Sequence, residues 1–214
     1  MQNSQSIEEI LQKLKAEISE IKRGSRGGHQ RPHKFVMLLA VIEMAERGLL
    51  AENKIYLQNP LIAIFESLFS LARRKDDLCQ PGPPFFHLRS SGFWFHKVKP
   101  SKEDAYARLK SSGGGMQIIL DHVEYAYLRD DWFQALSQPK VRKELRSYIA
   151  DLLNQDNIPN AITYGEAIQP HRAVKETKEV KPKDMPKRLE TAFHETFYLS
   201  RPELSQMIEV IHEQ

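Results

Sequence analysis

KFVMLLAVIEMAER, Lys34 to Arg47, is the stretch that decides the fold. It leaves no wide polar stripe at helical spacing, so it reads as a mostly buried helix. Pro32 suits a first helical position and Gly48 is the stop. A helix buried on most sides needs neighbours, and the flanking sequence supplies them. Upstream, Ile7, Ile10, Leu11, Leu14 and Ile18 recur at spacings of three and four, which predicts an amphipathic helix over 7–21. Ser6 with Glu9 predicts its capping box. Downstream, Leu61, Ile64, Phe65, Leu68, Phe69 and Ala72 predict a third helix over 60–72, after a short strand at 53–57.

Beyond the third helix the signals change. Phe85–Leu88 and Phe93–His96 are short aromatic runs flanking Arg89-Ser90-Ser91-Gly92, and they predict a β-hairpin with a glycine in its turn. A short helix is expected over 102–110, a flexible SSGGG run at 111–115, and helix again over 122–153, with Asp130 as a cap and Pro139 opening a second piece. The expected fold class is mainly α with a small β-hairpin (α+β), a compact helical domain. Three helices followed by a hairpin is also the element order of winged-helix DNA binders, by analogy alone.

With 214 residues, the chain can form one domain with a substantial core plus a tail. Its organisation reads as a domain over 1–155, a linker or extended arm over 156–188 rich in Asn, Pro and Lys, and a short helical tail over 189–214. An apolar content of 41% beside 28% charged residues describes a globular protein. The single cysteine, Cys79, excludes an internal disulfide framework and a cysteine-based zinc site. The polar start MQNSQSIEEI predicts no secretory signal, and no apolar run is long enough to span a bilayer, so a cytoplasmic location is expected.

The net charge is only +3, so its distribution matters more than its total. Two windows lack acidic residues altogether. Between Glu20 and Glu43 lie Lys22, Arg23, Arg26, Arg31 and Lys34 with His29 and His33, threaded by Gly24, Gly27 and Gly28. Glycines let backbone N–H groups approach a phosphate closely, and a helix starting near Pro32 adds its positive end. Between Asp77 and Glu103, prolines, phenylalanines and a tryptophan mingle with Arg89, Lys97, Lys99, Lys102, His87 and His96. Most of those rings are expected in the core, leaving Pro83, Pro84 and His87 for a ligand surface. Cations beside rigid apolar groups point to nucleic acid, bound largely through counterion release.

Three blocks, RPHKFVMLLAVIE, PPFFHLRSSGFW and HVEYAYLRDDWFQAL…VRKELRSYIADLL, resemble in the same order the sulfur-binding domain of phosphorothioate-dependent (type IV) restriction endonucleases. The resemblance spans roughly residues 5 to 155. It implies recognition of duplex DNA in which sulfur replaces a non-bridging phosphate oxygen, seated in a shallow apolar pocket and flanked by basic phosphate contacts. Carried over by position, Pro84 stands for the pocket proline, Pro83 where an aromatic ring is common, and His87 where a small side chain is common. Arg26, His33 and Lys34 match basic positions, and Lys110 with Ser111 lies near a further contact region.

Members of that family commonly add an HNH nuclease, for which this chain shows no strand-patterned histidine set. His171, His194 and His212 are scattered, and the E-x-K echoes at 176–181 sit in a charged run with no apolar strand. The expectation is therefore a non-catalytic module with no cofactor and no metal, working with a partner nuclease or in regulation within prokaryotic defence. Pro83, Pro84 and His87 are expected to meet the sulfur. Arg26, His29, Arg31, His33 and Lys34 are expected to meet phosphates, with Arg89, Lys97, Lys110 and Ser111 in support. Competing readings are a winged-helix regulator, a metal-dependent nuclease with an unrecognised site, and a protein-interaction adaptor.

Overall fold

The computed structural model describes residues 6–26, 29–74, 76–110 and 115–155. The regions assigned to an arm at 156–188 and to a tail at 189–214 lie outside the described residues, as do His171, His194 and His212. Helix α1 (Ile7–Ser19) carries the expected capping box, Ser6 accepting from the Glu9 backbone and Glu9 reaching back to Ser6. A small antiparallel pair follows, β1 (Ser25–Arg26) with β2 (His29–Gln30). Next come α2 (His33–Glu46) and α3 (Leu61–Ala72). The second half holds α4 (Gly82–His87), a 3-10 turn at Leu88–Ser91, β3 (Trp94–Val98), α5 (Glu103–Ala107), α6 (Met116–His122), β4 (Val123–Leu128), α7 (Asp130–Leu136) and α8 (Pro139–Gln155). The class is mainly α with a small antiparallel β component, as the sequence predicts.

Helix α2 is the spine. Ten consecutive residues, Phe35 to Met44, are buried, so no face of it meets water through the middle. Helices α3, α4 and α8 pack around it. Glu43 is buried within this run. It is tolerated because Arg47 donates to it at 2.7 Å and Arg146 of α8 at 3.4 Å; an unpaired carboxylate there would neutralise or destabilise the fold. The helix ends as predicted at Gly48, whose φ of +70° is open to glycine. Gly48 N–H bonds to Ala45 O at 3.2 Å and Leu49 N–H to Met44 O at 2.8 Å, a Schellman motif that satisfies the last carbonyls.

Helix α1 packs on α8 through buried Leu11, Leu14 and Ile18, and charged pairs tie it to α7 as well. Arg129 bridges Glu17 at 2.7 Å and Asp131 at 2.7 Å, and the Trp132 indole N–H donates to Glu17 at 2.6 Å. The Arg129 guanidinium holds the Asp131 carboxyl down at about 2. Arg142 of α8 donates to the carbonyls of Leu136 and Ser137, closing the end of α7.

Three sequence expectations differ from the structure. The predicted hairpin over 85–96 is instead α4 and a 3-10 turn leading into a strand. Prolines 83 and 84 occupy the first turn of α4, where a missing N–H costs nothing because those donors have no helical partner anyway. Gly92, at φ +79°, ends the turn, and β3 pairs with β4 rather than with 85–88. The predicted helix over 122–153 begins with that strand, β4, which pairs Trp94 with Leu128 and Lys97 with Tyr125. The expected strand at 53–57 is a single bridge, Ile55 to Ala126, on the other side of β4.

Replacing Gly48 by Ala is expected to lower stability by roughly 1 kcal/mol, since a Cβ there meets nothing within 4 Å and the cost is backbone strain alone. Thermal unfolding of the variant, read by circular dichroism, should show a midpoint lower by a few degrees.

Candidate nucleic-acid interface

The two acid-free windows converge at the N-terminal end of α2. The β1–β2 hairpin folds the basic loop back on itself, with Arg31 N–H bonded to Gly24 O at 2.8 Å. The Arg23 guanidinium lies 4.3 Å from the centre of the Phe35 ring, covering the start of α2. Lys34 is half-buried and donates to Lys22 O at 2.8 Å, so its ammonium is fixed in place, with burial lowering its pKa. His33 Nε2 donates to the Leu78 carbonyl at 2.8 Å; a carbonyl accepts only, so Nε2 carries the proton. Its ring packs 4.6 Å from Phe69, and burial lowers its pKa.

Helix α4 supplies the second side. Its six residues put Pro83 and His87 four apart, on one face. Both are partly exposed, whereas Pro84 is buried. The apolar edge open to a ligand is therefore Pro83 with His87, and Pro84, expected as the pocket proline, supports it from beneath. Burial lowers the pKa of His87, and the nearby Lys34 and Arg89 cations lower it further. That electrostatic coupling links the two windows: His87 lies within reach of a cation from each. Arg89 is held flat, 3.9 Å over the Phe86 ring and 5.0 Å from Tyr106, and donates to Leu109 O at 2.6 Å. The next residue, Lys110, is exposed.

Other expected contacts fall elsewhere. His29 is only 7% exposed and faces Asp77 at 3.3 Å, so it anchors the hairpin instead of presenting its ring to a phosphate. Asp77 is itself buried, which keeps its charge off the surface. Lys97 is exposed, but on the opposite side of its strand from His96, which packs on α4. It is thereby separated from this site. The Arg26 side chain and Ser111 lie outside the described residues. Around the hairpin, Arg31 Nε and His33 Nδ1 are buried polar atoms with no protein partner. Arg31 Nε is a donor, suited to a ligand oxygen or water, whereas His33 Nδ1 in this tautomer is an acceptor suited to a water proton.

His96, grouped by sequence with the cations, is a core residue. Its Nδ1 lies 2.7 Å from the Tyr106 hydroxyl, and its Nε2 lies 3.2 Å from the Trp94 indole nitrogen. The same Nε2 lies 3.1 Å from the Phe85 carbonyl oxygen, so the ring is tied to the backbone of α4 as well. Burial pushes the pKa of His96 down to about 4. The ring stacks 5.3 Å from Phe85 and thereby fixes α4 against the sheet. No local sequence signal marks His96, with Trp94 and Tyr106 on its two ring nitrogens, as the clamp beside the site.

No group of three or more His, Cys, Asp and Glu side chains is arranged for a metal ion among the described residues. Cys79 is exposed, and desolvation raises its thiol pKa, the wrong direction for a nucleophile. Asp121 accepts from Gln117 at 2.9 Å on the surface of α6. An open groove of about 370 Å³ near Met44, Leu49 and Tyr56 lies at the other end of α2 from Lys34, about 15 Å away along the helix. Neither the protein-family models nor the curated proteins give a match to the chain.

Because the folded pKa of His96 lies below its unfolded value near 6.5, its contribution to stability is complete above pH 6.5 and is lost as pH falls toward 4. The shift corresponds to roughly 3 kcal/mol at full depth. Chemical denaturation at a series of pH values should show this decline between pH 6.5 and 4, and His96→Phe should flatten it.

Proposed function

We propose that this protein is a non-catalytic module that binds DNA carrying a phosphorothioate in its backbone. The basic hairpin and the first turn of α2 grip phosphates, and the Pro83–His87 edge of α4 meets the sulfur. The observation that carries this reading is geometric: α4, which bears the partly exposed Pro83 and His87, packs on α2, whose first turn bears Lys34, and Arg89 is held 3.9 Å over the Phe86 ring just beyond α4. It sets a proline and a neutral imidazole among cations, and residues 78–102 contribute no carboxylate of their own. The family resemblance drawn from the sequence points the same way.

The chemistry is consistent with sulfur. A non-bridging oxygen is small, hard and strongly hydrated, and placing it against Pro83 forfeits hydration with nothing in return. Sulfur is larger, softer and less hydrated, so an apolar edge favours it. The cations act on the phosphodiester charge whether sulfur is present or not. His87 stands where a small side chain would widen the recess, so the discrimination it gives depends on its staying neutral. Its lowered pKa keeps it neutral at pH 7. Acting on modified cellular DNA, such a module belongs in the cytoplasm of a prokaryote, directing a partner nuclease or a regulatory response in restriction-type defence. Among the described residues no helix is long and apolar enough to cross a membrane, which suits that setting.

Two experiments test the reading. In the first, matched duplexes with and without one phosphorothioate are titrated against the full chain. Tighter binding to the modified duplex is expected; equal affinity removes the sulfur claim. Lys34→Ala should weaken both duplexes alike and reduce the salt slope by about one, while Pro83→Ser should narrow the difference between them. The second is a pH series. A bound polyanion raises the pKa of His87 above its depressed free value, so binding takes up a proton. Affinity should therefore rise as pH falls from 7.5 to 5.5 and the preference for sulfur should shrink, because an imidazolium favours oxygen. His87→Gln should flatten both trends.

A further inference from the structure

The β3–β4 sheet has a second face, on the side away from α4, that the duplex-binding reading leaves unused. Strand alternation places Phe95 and Lys97 of β3 and Tyr125 and Tyr127 of β4 on it, and Lys54 and Tyr56 flank the Ile55 bridge in the same sense. The intervening residues Ile55, Trp94, Ala126 and Leu128 are fully buried. The rings form a continuous ladder. Tyr56 lies 5.7 Å from Tyr125, Tyr125 6.4 Å from Tyr127, and Tyr127 5.5 Å from Phe95. Tyr56 and Tyr127 remain 40% and 36% exposed, among the largest exposed apolar surfaces of the described residues. At the usual strand spacing the ladder is about 10 Å wide.

Cations punctuate this ladder. The Lys54 ammonium lies 5.8 Å from the Tyr125 ring centre, and exposed Lys97 stands directly opposite Tyr125 in the strand register. Lys54 also pairs with Glu52 at 2.6 Å, but with side chains 41% and 70% exposed that pair can be exchanged for a phosphate at little cost. Glu124, the acidic residue of β4, sits at the bulge end of the strand. The groove near Met44 continues from Tyr56 and Lys54, and exposed Gln58 lines it with an amide able to meet a base edge.

We propose that this face binds single-stranded nucleic acid, with unpaired bases stacking along Tyr56, Tyr125, Tyr127 and Phe95 and with Lys54 and Lys97 on the phosphates. Stacking on aromatic rings combined with backbone cations is the general chemistry of sequence-tolerant single-strand binding. The strand alternation offers rings and lysines on this face with no aliphatic side chain between them. A second copy of the chain docked here would set the lysines of one face against those of the other, which disfavours self-pairing. The inference stands apart from the phosphorothioate reading, since it uses the opposite side of the sheet.

The test is fluorescence anisotropy with the full chain and labelled oligothymidylate at low salt, with oligouridylate and an abasic sugar–phosphate polymer of equal length as further arms. Both base-bearing strands are expected to bind and the abasic polymer to bind far more weakly. Tyr125→Ala and Tyr127→Ala should each weaken oligothymidylate binding by about 5- to 100-fold, whereas Tyr127→Phe should bind like the unaltered chain. Lys34→Ala should leave this binding unchanged, which separates it from the duplex site. Three results would overturn the proposal: no binding of oligothymidylate by the unaltered chain, equal binding of the abasic polymer, or equal affinity of Tyr127→Ala when it unfolds at the same temperature as the unaltered chain. So would a concentration-dependent dimer in sedimentation that Tyr127→Ala abolishes, because the face would then belong to a second copy.

Discussion

Burial of α2 over ten consecutive residues is the constraint on which the rest of the structure depends. A helix with no solvent-facing stripe through its middle must be wrapped, so α3, α4 and α8 are placed by the need to cover it. Only its ends can reach the surface. At one end Gly48 reverses the chain toward the Tyr56 segment. At the other, His33 and Lys34 emerge beside α4, where Arg89 and His87 wait. The basic end is thus a consequence of packing: cations collect where the spine runs out of core.

The second constraint is the neutral His96 ring, held between the Trp94 indole, the Tyr106 hydroxyl and the Phe85 stack. It fixes α4 to one side of the two-stranded sheet. Strand alternation then sends Lys97 and the exposed tyrosine ladder to the other. Two surfaces of different chemistry follow from one short sheet, a proline-and-cation edge by α4 and a ring platform opposite.

Much of this was legible in the sequence. The capping box at Ser6 and Glu9, the mostly buried helix over 34–47 stopped at Gly48, and the apolar face of 61–72 are local signals, and the structure keeps all three. The misreadings share a cause, which is that short segments take their conformation from distant partners. PGPPFFH reads as an extended lead-in until α2 is there to bury Phe85 and Phe86, and then its prolines fit a helix start. In HVEYAYL the alternation of Tyr125, Ala126 and Tyr127 was a period-two signal, outweighed by the helical pattern after Asp130. The candidate site was legible as two acid-free windows, and Lys34 and Arg89, one from each, both lie near His87. What the sequence could not give was depth: His29 and Pro84 lie inside, His96 is a clamp, and Lys97 faces away, because burial is set by long-range packing.

The account places the duplex site at the junction of the β1–β2 hairpin, the first turn of α2, and α4. Amide hydrogen exchange of the full chain, with and without a duplex bearing one phosphorothioate, maps that junction directly. Slowed exchange over residues 29–36 and 82–91, with β4 unchanged, is the predicted result. Protection confined to other segments, or no change at concentrations that saturate binding, would contradict it.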